Sequence, residues 1–188
     1  MFKKIKYNSK VILTFALISF ISLILGYLTK GSFTYTFFSV YRFNPSNLLG
    51  YVRLFTHVLG HANLQHFTSN MLIFLLIGPI LEEKYGSQNL LIVILVTALT
   101  TGIIHIILSN SMLLGASGVV FAFIMLASIT SVNHSEIPLT MIIVFLLYIG
   151  QEVVDVVSVS DGISHLSHII GGLVGMGVGL YLRKHPKI

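Results

Sequence analysis

One serine stands out as a candidate nucleophile. Ser117 lies in the stretch LGASGVVFA at 114–122, and no residue from 85 to 135 carries a formal charge. A hydroxyl flanked by glycine and alanine in such a run has two interpretations. It is part of a helix-packing surface, because small residues line the contacts between membrane helices, or it is a nucleophile that requires a base nearby. The stretch alone does not decide between these two roles.

A histidine near the C-terminus is the candidate base. His168 is followed by glycines at offsets of 3, 7 and 11 residues, which share one face of a helix. A glycine stripe lets another backbone approach closely, and Gly118 and Ala122 form a matching small pair. If these faces meet, Ser117 and His168 come within hydrogen-bond reach, which is the minimum for acyl transfer. The alternative is a helix-interface histidine bonded to a backbone carbonyl. The glycines are Gly171, Gly175 and Gly179.

Three histidines and one asparagine before the serine are further candidates for a functional site. His66 and Asn70 are four residues apart and share a helix face. Two donors aimed at one point can stabilise an oxyanion, although hydrogen bonding between helices explains the pair equally well. His57 and His61 have a spacing that can bind zinc, but a zinc protease requires glutamate after the first histidine, where this chain has Val58. We therefore expect no metal site.

Three acidic residues lie in the polar segment before the last apolar stretch. One of Glu152, Asp155 and Asp161 could orient a histidine, as in a catalytic triad. Nothing in their spacing selects one of them. A solvated loop is the interpretation that we favour.

The composition places these residues in a membrane. The chain has 188 residues, of which 55% are hydrophobic and 9% charged, with a mean hydropathy of +0.92. Soluble domains carry about 25% charged residues, so this chain is an integral membrane protein. Its long, continuous apolar segments favour helices over a β-barrel. It has no cysteine, which excludes disulfides and thiol chemistry.

The apolar segments predict an all-α protein of one domain, 1–188, with six spans. A long aromatic connection at 29–63 is predicted to be a structured loop partly in the outer leaflet, and Gly86 is a predicted helix C-cap. The net charge of +5 is concentrated at the two ends of the chain. Basic ends indicate that both termini are cytoplasmic in a multi-pass cell-membrane protein, and we expect no nucleic-acid partner. The predicted spans are about 11–28, 64–81, 90–108, 115–132, 137–148 and 163–182.

Four motifs occur in an order that resembles one known family. They are RLFTH at 53–57, HANLQHFTSN at 61–70, GASG at 115–118 and HIIGGLVG at 168–175. In this order the chain resembles the rhomboid intramembrane serine proteases of the basic six-helix bacterial form, with core motifs from 53 to 182. The segments GPILE at 78–82 and GS at 86–87 are also similar to the end of the family's second helix.

The resemblance implies a catalytic dyad rather than a triad. Ser117 would be the nucleophile and His168 the general base. His66, Asn70 and the Ser117 backbone amide would form the oxyanion hole. The implied substrates are transmembrane segments of membrane proteins, cut near their outer end, and no cofactor is implied. The loop before the last helix would cover the site.

One position departs from part of the family, and two other functions stay open. Some members carry tyrosine four residues after the serine, where this chain has Phe121; a phenylalanine can still pack on the His168 ring but lacks the hydroxyl. The first alternative is a catalytically inactive rhomboid-like protein that binds membrane segments without cutting them. The second is a channel or small transporter, which would favour charged residues at the midplane.

Overall fold

The described part of the chain is helical. A computed structural model describes residues 7–129, the helical residues 139, 142–144 and 146–147, and a helix at 162–184 with side chains from 169 to 182. Within these residues no strand forms; one isolated antiparallel bridge joins Val40 to Leu113. The helices are α1 Lys10–Leu28, α2 Ser32–Phe37, α3 Leu48–Thr56, a 3₁₀ turn at His57–Leu59, α4 Leu64–Tyr85, α5 Ser87–Leu108, α6 Ser117–Ile129 and α7 Gly162–Lys184.

Three of these helices, α1, α4 and α5, are long and apolar enough to cross a membrane. Their outward faces are those of lipid-exposed helices: on α4, Leu72, Leu76 and Ile80 are 72%, 69% and 65% exposed, whereas Phe74 on the opposite face is fully buried. An apolar stripe of this size on a water-facing surface would be unfavourable. The prediction of a multi-pass, all-α membrane protein is therefore confirmed.

The predicted helix ends agree with the structure within about four residues. α4 continues to Tyr85, beyond the predicted end at 81, and α5 begins at Ser87, before the predicted start at 90. The prediction placed the start of the fourth span near Gly115, whereas α6 begins at Ser117. Gly115 has a φ of +128°, which a helix does not accommodate. Gly86, with a φ of +81°, ends α4 as predicted, and its N–H donates to the Glu82 carbonyl. The predicted fifth span at 137–148 lies largely outside the described residues.

A carboxylate on α4 ties this helix to the start of α1. The first amides of a helix have no partner within the helix. The Glu82 carboxylate accepts hydrogen bonds from the amides of Val11 at 3.0 Å and Ile12 at 3.1 Å, and from the Ser87 hydroxyl at 2.6 Å. A negative charge at a helix N-terminus also interacts favourably with the helix dipole. This contact fixes one end of the α1–α4 pair.

The first loop is structured, as predicted, and it is attached to the end of α5. Val40 and Leu113 exchange backbone hydrogen bonds of 2.9 and 2.8 Å. The Arg42 guanidinium donates to the Ile106 and Ile107 carbonyls at 3.1 and 3.0 Å, and these carbonyls belong to the unpaired last turn of α5. The loop is therefore held close to the segment that leads into α6.

The core is built around α6. This helix packs against α4, α5, α7 and the 3₁₀ turn at 57–59. Six consecutive residues, 118–123, are buried, so the helix is covered on all sides over that stretch. On α4, Phe74 stacks on Phe123 of α6 with ring centroids 5.2 Å apart. The position of α6, and with it that of its first residue, is therefore fixed by packing within the bundle.

Candidate active site

The turn before α6 presents the candidate nucleophile. Gly115 donates its N–H to the His57 carbonyl at 3.0 Å, and the Ala116 carbonyl accepts the Val120 N–H at 2.8 Å. Ser117 is thus the first residue of the helix. It remains partly accessible although Ala116 and Gly118 on either side are buried. The serine is thus a partly exposed residue on a backbone that is fixed by hydrogen bonds and close packing.

The ring of His66 lies against this turn. A Cβ built on Gly115 would lie 2.6 Å from His66 Nε2 and 2.8 Å from its Cε1. The positive φ of Gly115 disfavours other residues as well. The structure therefore brings His66 of α4 to the turn that precedes Ser117, and glycine at 115 is required for both the backbone conformation and the approach of the ring.

Asn70 lies one turn further along α4, on the same face as His66. Its Nδ2 donates to the His66 carbonyl at 2.9 Å, and only 7% of the residue is exposed. The amide nitrogen carries two protons, and this bond uses one of them. The pairing of His66 and Asn70 on one face, predicted from their spacing, is present in the helix.

The glycine face of α7 packs directly on α6. A Cβ on Gly171 would lie 2.2 Å from the Gly118 carbonyl oxygen, and one on Gly175 would lie 2.3 Å from the Ala122 carbonyl oxygen. Any larger side chain would force the two backbones apart. The predicted meeting of the two small-residue faces is therefore observed. The His168 side chain lies outside the described residues.

Phe121 contributes to the same helix interface. Its ring is fully buried, and a Cβ on Gly172 would lie 2.5 Å from its Cδ1. Gly172 follows His168 by about one turn of α7. The phenylalanine that replaces the tyrosine of some rhomboids therefore packs against the helix that carries the candidate base.

His57 supports the turn before Ser117 through its backbone carbonyl, while its ring is bonded to α5. It is 1% exposed, and its Nε2 donates to the Ala98 carbonyl of α5 at 3.0 Å. Burial lowers the pKa of His57 to about 4, so the ring is neutral near pH 7. Its carbonyl accepts the Gly115 N–H. The spacing of His57 and His61 suggested only a zinc ligand and missed this role. The signal that could have indicated it is the position of His57 at the end of the RLFTH motif, 53–57.

The ring of His61 packs against the ring of His66. The two rings are in edge contact, with centroids 5.1 Å apart, and the His61 ring also meets Phe67 at 5.3 Å. Burial lowers the pKa of His61 to about 3, and the neighbouring His66 contributes to the same shift. A neutral ring at this position adds no positive charge beside His66. Glu152, Asp155 and Asp161, the acids considered as third members of a triad, lie outside the described residues.

A family model confirms the resemblance of the motifs. The Rhomboid domain model matches residues 49–185, which is most of the chain. The protein belongs to the rhomboid family. The match begins in α3 and extends through α7, so all the candidate site residues of this rhomboid lie inside it. The family consists largely of intramembrane serine proteases, which makes peptide-bond hydrolysis the activity to consider.

Proposed function

We propose that this rhomboid is a serine endopeptidase that cleaves transmembrane segments of other membrane proteins. The observation that carries the proposal is the position of Ser117. It is partly accessible at the first residue of a buried helix. His66 lies against the turn before it, and the backbone of α7 lies against Gly118 just after it.

The register between α6 and α7 supports His168 as the base. The contact pairs Gly171–Gly118 and Gly175–Ala122 have the same separation in sequence, so the two helices run parallel. Three residues before Gly171 on α7, the same register places position 168 level with position 115. This register places His168 level with the residue two before Ser117, on the helix that packs against Gly118. A general base acts from about 2.6–3.2 Å, and our proposal requires the His168 ring to come within that distance of the Ser117 hydroxyl.

The proposed reaction is acyl transfer to serine followed by hydrolysis. His168 accepts the hydroxyl proton while Ser117 Oγ attacks the scissile carbonyl carbon. The carbonyl oxygen becomes an oxyanion, which His66, Asn70 and the Ser117 N–H stabilise. That amide lies at the first residue of α6, where the helix dipole favours negative charge. His168 then gives its proton to the leaving amine, and a water molecule deprotonated by the same histidine releases the acyl group.

The arrangement in the membrane is part of the proposal. We infer one domain over 1–188 with six spans. Five of them are the three long helices with α6 and α7, which pack in the same bundle, and the apolar stretch at 137–148 is the proposed sixth. An even number of spans puts both ends on one side, and the lysines and arginines at both ends favour the cytoplasm. Reporter fusions at residue 1 and residue 188 test this: reporters that report opposite sides of the membrane would contradict six spans.

The most direct test is labelling of the purified protein with a fluorophosphonate serine probe. We expect wild-type protein to be labelled and to cleave a transmembrane substrate in micelles, and Ser117→Ala to lose both. Ser128→Ala is the matched control, because Ser128 lies on the same helix and its hydroxyl donates to the Ile124 carbonyl. Folded wild-type protein that binds the substrate without being labelled would instead identify the inactive, binding-only alternative.

A further inference from the structure

A recess lies between α1, the α3–3₁₀ segment and α5, and Ser117 is not among its lining residues. Its volume is about 370 Å³, which falls in the range of about 300–1,000 Å³ usual for small-molecule sites. Eleven residues line it, and of these only Lys10 is charged. Lys10 is exposed at the start of α1. The recess is thus an apolar groove with one positive end; its walls include Ile18, Phe55, Val58, Leu91 and Leu95.

The chemistry of the groove fits one kind of occupant. Ordered water needs two to four polar partners, which these walls do not provide. The groove runs between two helices that are long and apolar enough to span a membrane, so hydrocarbon chains are its natural surroundings. A ligand that combines an apolar chain with a negative head satisfies both the walls and the Lys10 ammonium. In a bilayer that ligand is an anionic phospholipid.

The Glu82 carboxylate is engaged by hydrogen-bond donors other than the Lys10 ammonium. Glu82 reaches the start of α1, but its oxygens accept the Val11 and Ile12 amides and the Ser87 hydroxyl. The sequence adds Lys3, Lys4 and Lys6 just before the helix. Clusters of four or more basic residues beside a span attract anionic lipid headgroups. The Lys10 ammonium, at the groove, is opposite in charge to a lipid phosphate.

We propose that this groove binds an acyl chain of an anionic phospholipid, with the lipid phosphate at Lys10. Bound there, the chain would support Val58 and Leu59, which line the groove beneath the first loop. The preceding residue, His57, holds the Gly115 amide through its carbonyl. Lipid binding itself does not depend on the proposed protease activity; only its influence on the Ser117 turn does.

Lipid titration of the delipidated full chain in a neutral detergent tests the proposal. Phosphatidylglycerol and phosphatidylcholine with identical chains are added, and bound lipid is counted by native mass spectrometry. We expect phosphatidylglycerol to bind more tightly by about fivefold, the ratio that corresponds to one lysine near an anionic headgroup. Using Ser117→Ala protein for the whole series separates this result from any question of catalysis.

Two pairs of variants locate the lipid. Lys10→Gln should remove the preference for phosphatidylglycerol, whereas Lys84→Gln, an exposed lysine of α4 outside the groove, should keep it. Leu95→Trp should fill the groove and weaken binding of both lipids. Leu76→Trp, on the lipid-facing side of α4, should not.

Two results would overturn the proposal. Equal loss of the preference in Lys10→Gln and Lys84→Gln would indicate diffuse surface charge instead of a site. Unchanged binding to folded Leu95→Trp would show that the chain lies elsewhere. Circular dichroism checks the folding of each variant, and Leu91→Trp on the same wall replaces Leu95→Trp if that protein does not fold.

Discussion

Replacing Gly115 by alanine tests the link between the backbone of the turn and the proposed oxyanion hole. The added Cβ would lie 2.6 Å from His66 Nε2, so the ring must move. Alanine at a φ of +128° is also strained, at a cost of about 1–3 kcal/mol in stability. If the displaced ring no longer reaches the oxyanion, kcat should fall by about 10²–10³, the usual effect of losing one such donor. KM should change little, because the lost interaction belongs to the transition state.

Gly86 provides the matched control for this substitution. Its φ of +81° is likewise unfavourable for alanine, but an added Cβ would meet nothing within 4 Å. Gly86→Ala should therefore lower the Tm by an amount similar to Gly115→Ala and leave kcat unchanged. Cleavage of a transmembrane substrate in detergent micelles, with thermal melts of both variants, measures the two effects separately. A wild-type kcat for folded Gly115→Ala, or an equal loss of kcat in Gly86→Ala, would refute the reasoning.

The remaining predictions concern the oxyanion donors and the buried histidines. Asn70→Ala and His66→Ala should each slow cleavage but leave it measurable, and the double variant should cost less than the sum of the single effects if both side chains act on one oxygen. Wild-type rates in both single variants, measured by micelle kinetics, would leave the pair with a packing role only. His57 and His61 have lowered pKa values of about 4 and about 3 against 6.5 for an exposed ring. The unfolded chain therefore binds more protons below pH 6.5, and stability should fall as the pH decreases from about 6.5 towards 4. Thermal melts across this range check the sign; a Tm that rises towards pH 4 would contradict it, and His61→Gln should reduce the slope.

Local patterns predicted the helices and their small-residue faces because those features depend on residues close in sequence. Continuous apolar runs predicted the spans α1, α4 and α5, and the offsets of the glycines predicted the contact between α7 and α6. The short helices α2 and α3 were not predicted within the first loop, where aromatic content indicated only a structured segment.

Contacts between distant residues could not be predicted in this way. The sequence predicts Glu82 only as part of a polar helix end. In the structure its carboxylate accepts hydrogen bonds from the amides of Val11 and Ile12, 71 and 70 residues earlier in the chain. Likewise, the positive φ of Gly115 follows from its bond to the His57 carbonyl and from the ring of His66. Such features depend on which helices become neighbours, and hydropathy carries no information about that choice.

The position of the candidate nucleophile follows from backbone contacts on both sides of it. The Gly115 amide is bonded to the first loop through His57, and the Gly118 carbonyl lies against Gly171 of α7. Both contacts require glycine, because a side chain at 115 or 171 would occupy the space of the neighbouring group. Ser117 lies between these two contacts, two residues after Gly115 and one residue before Gly118. It cannot shift without breaking one of them. Precise positioning contributes more to acyl transfer than the intrinsic reactivity of a hydroxyl, so the GASG motif supplies the geometry of the candidate site as well as its candidate nucleophile.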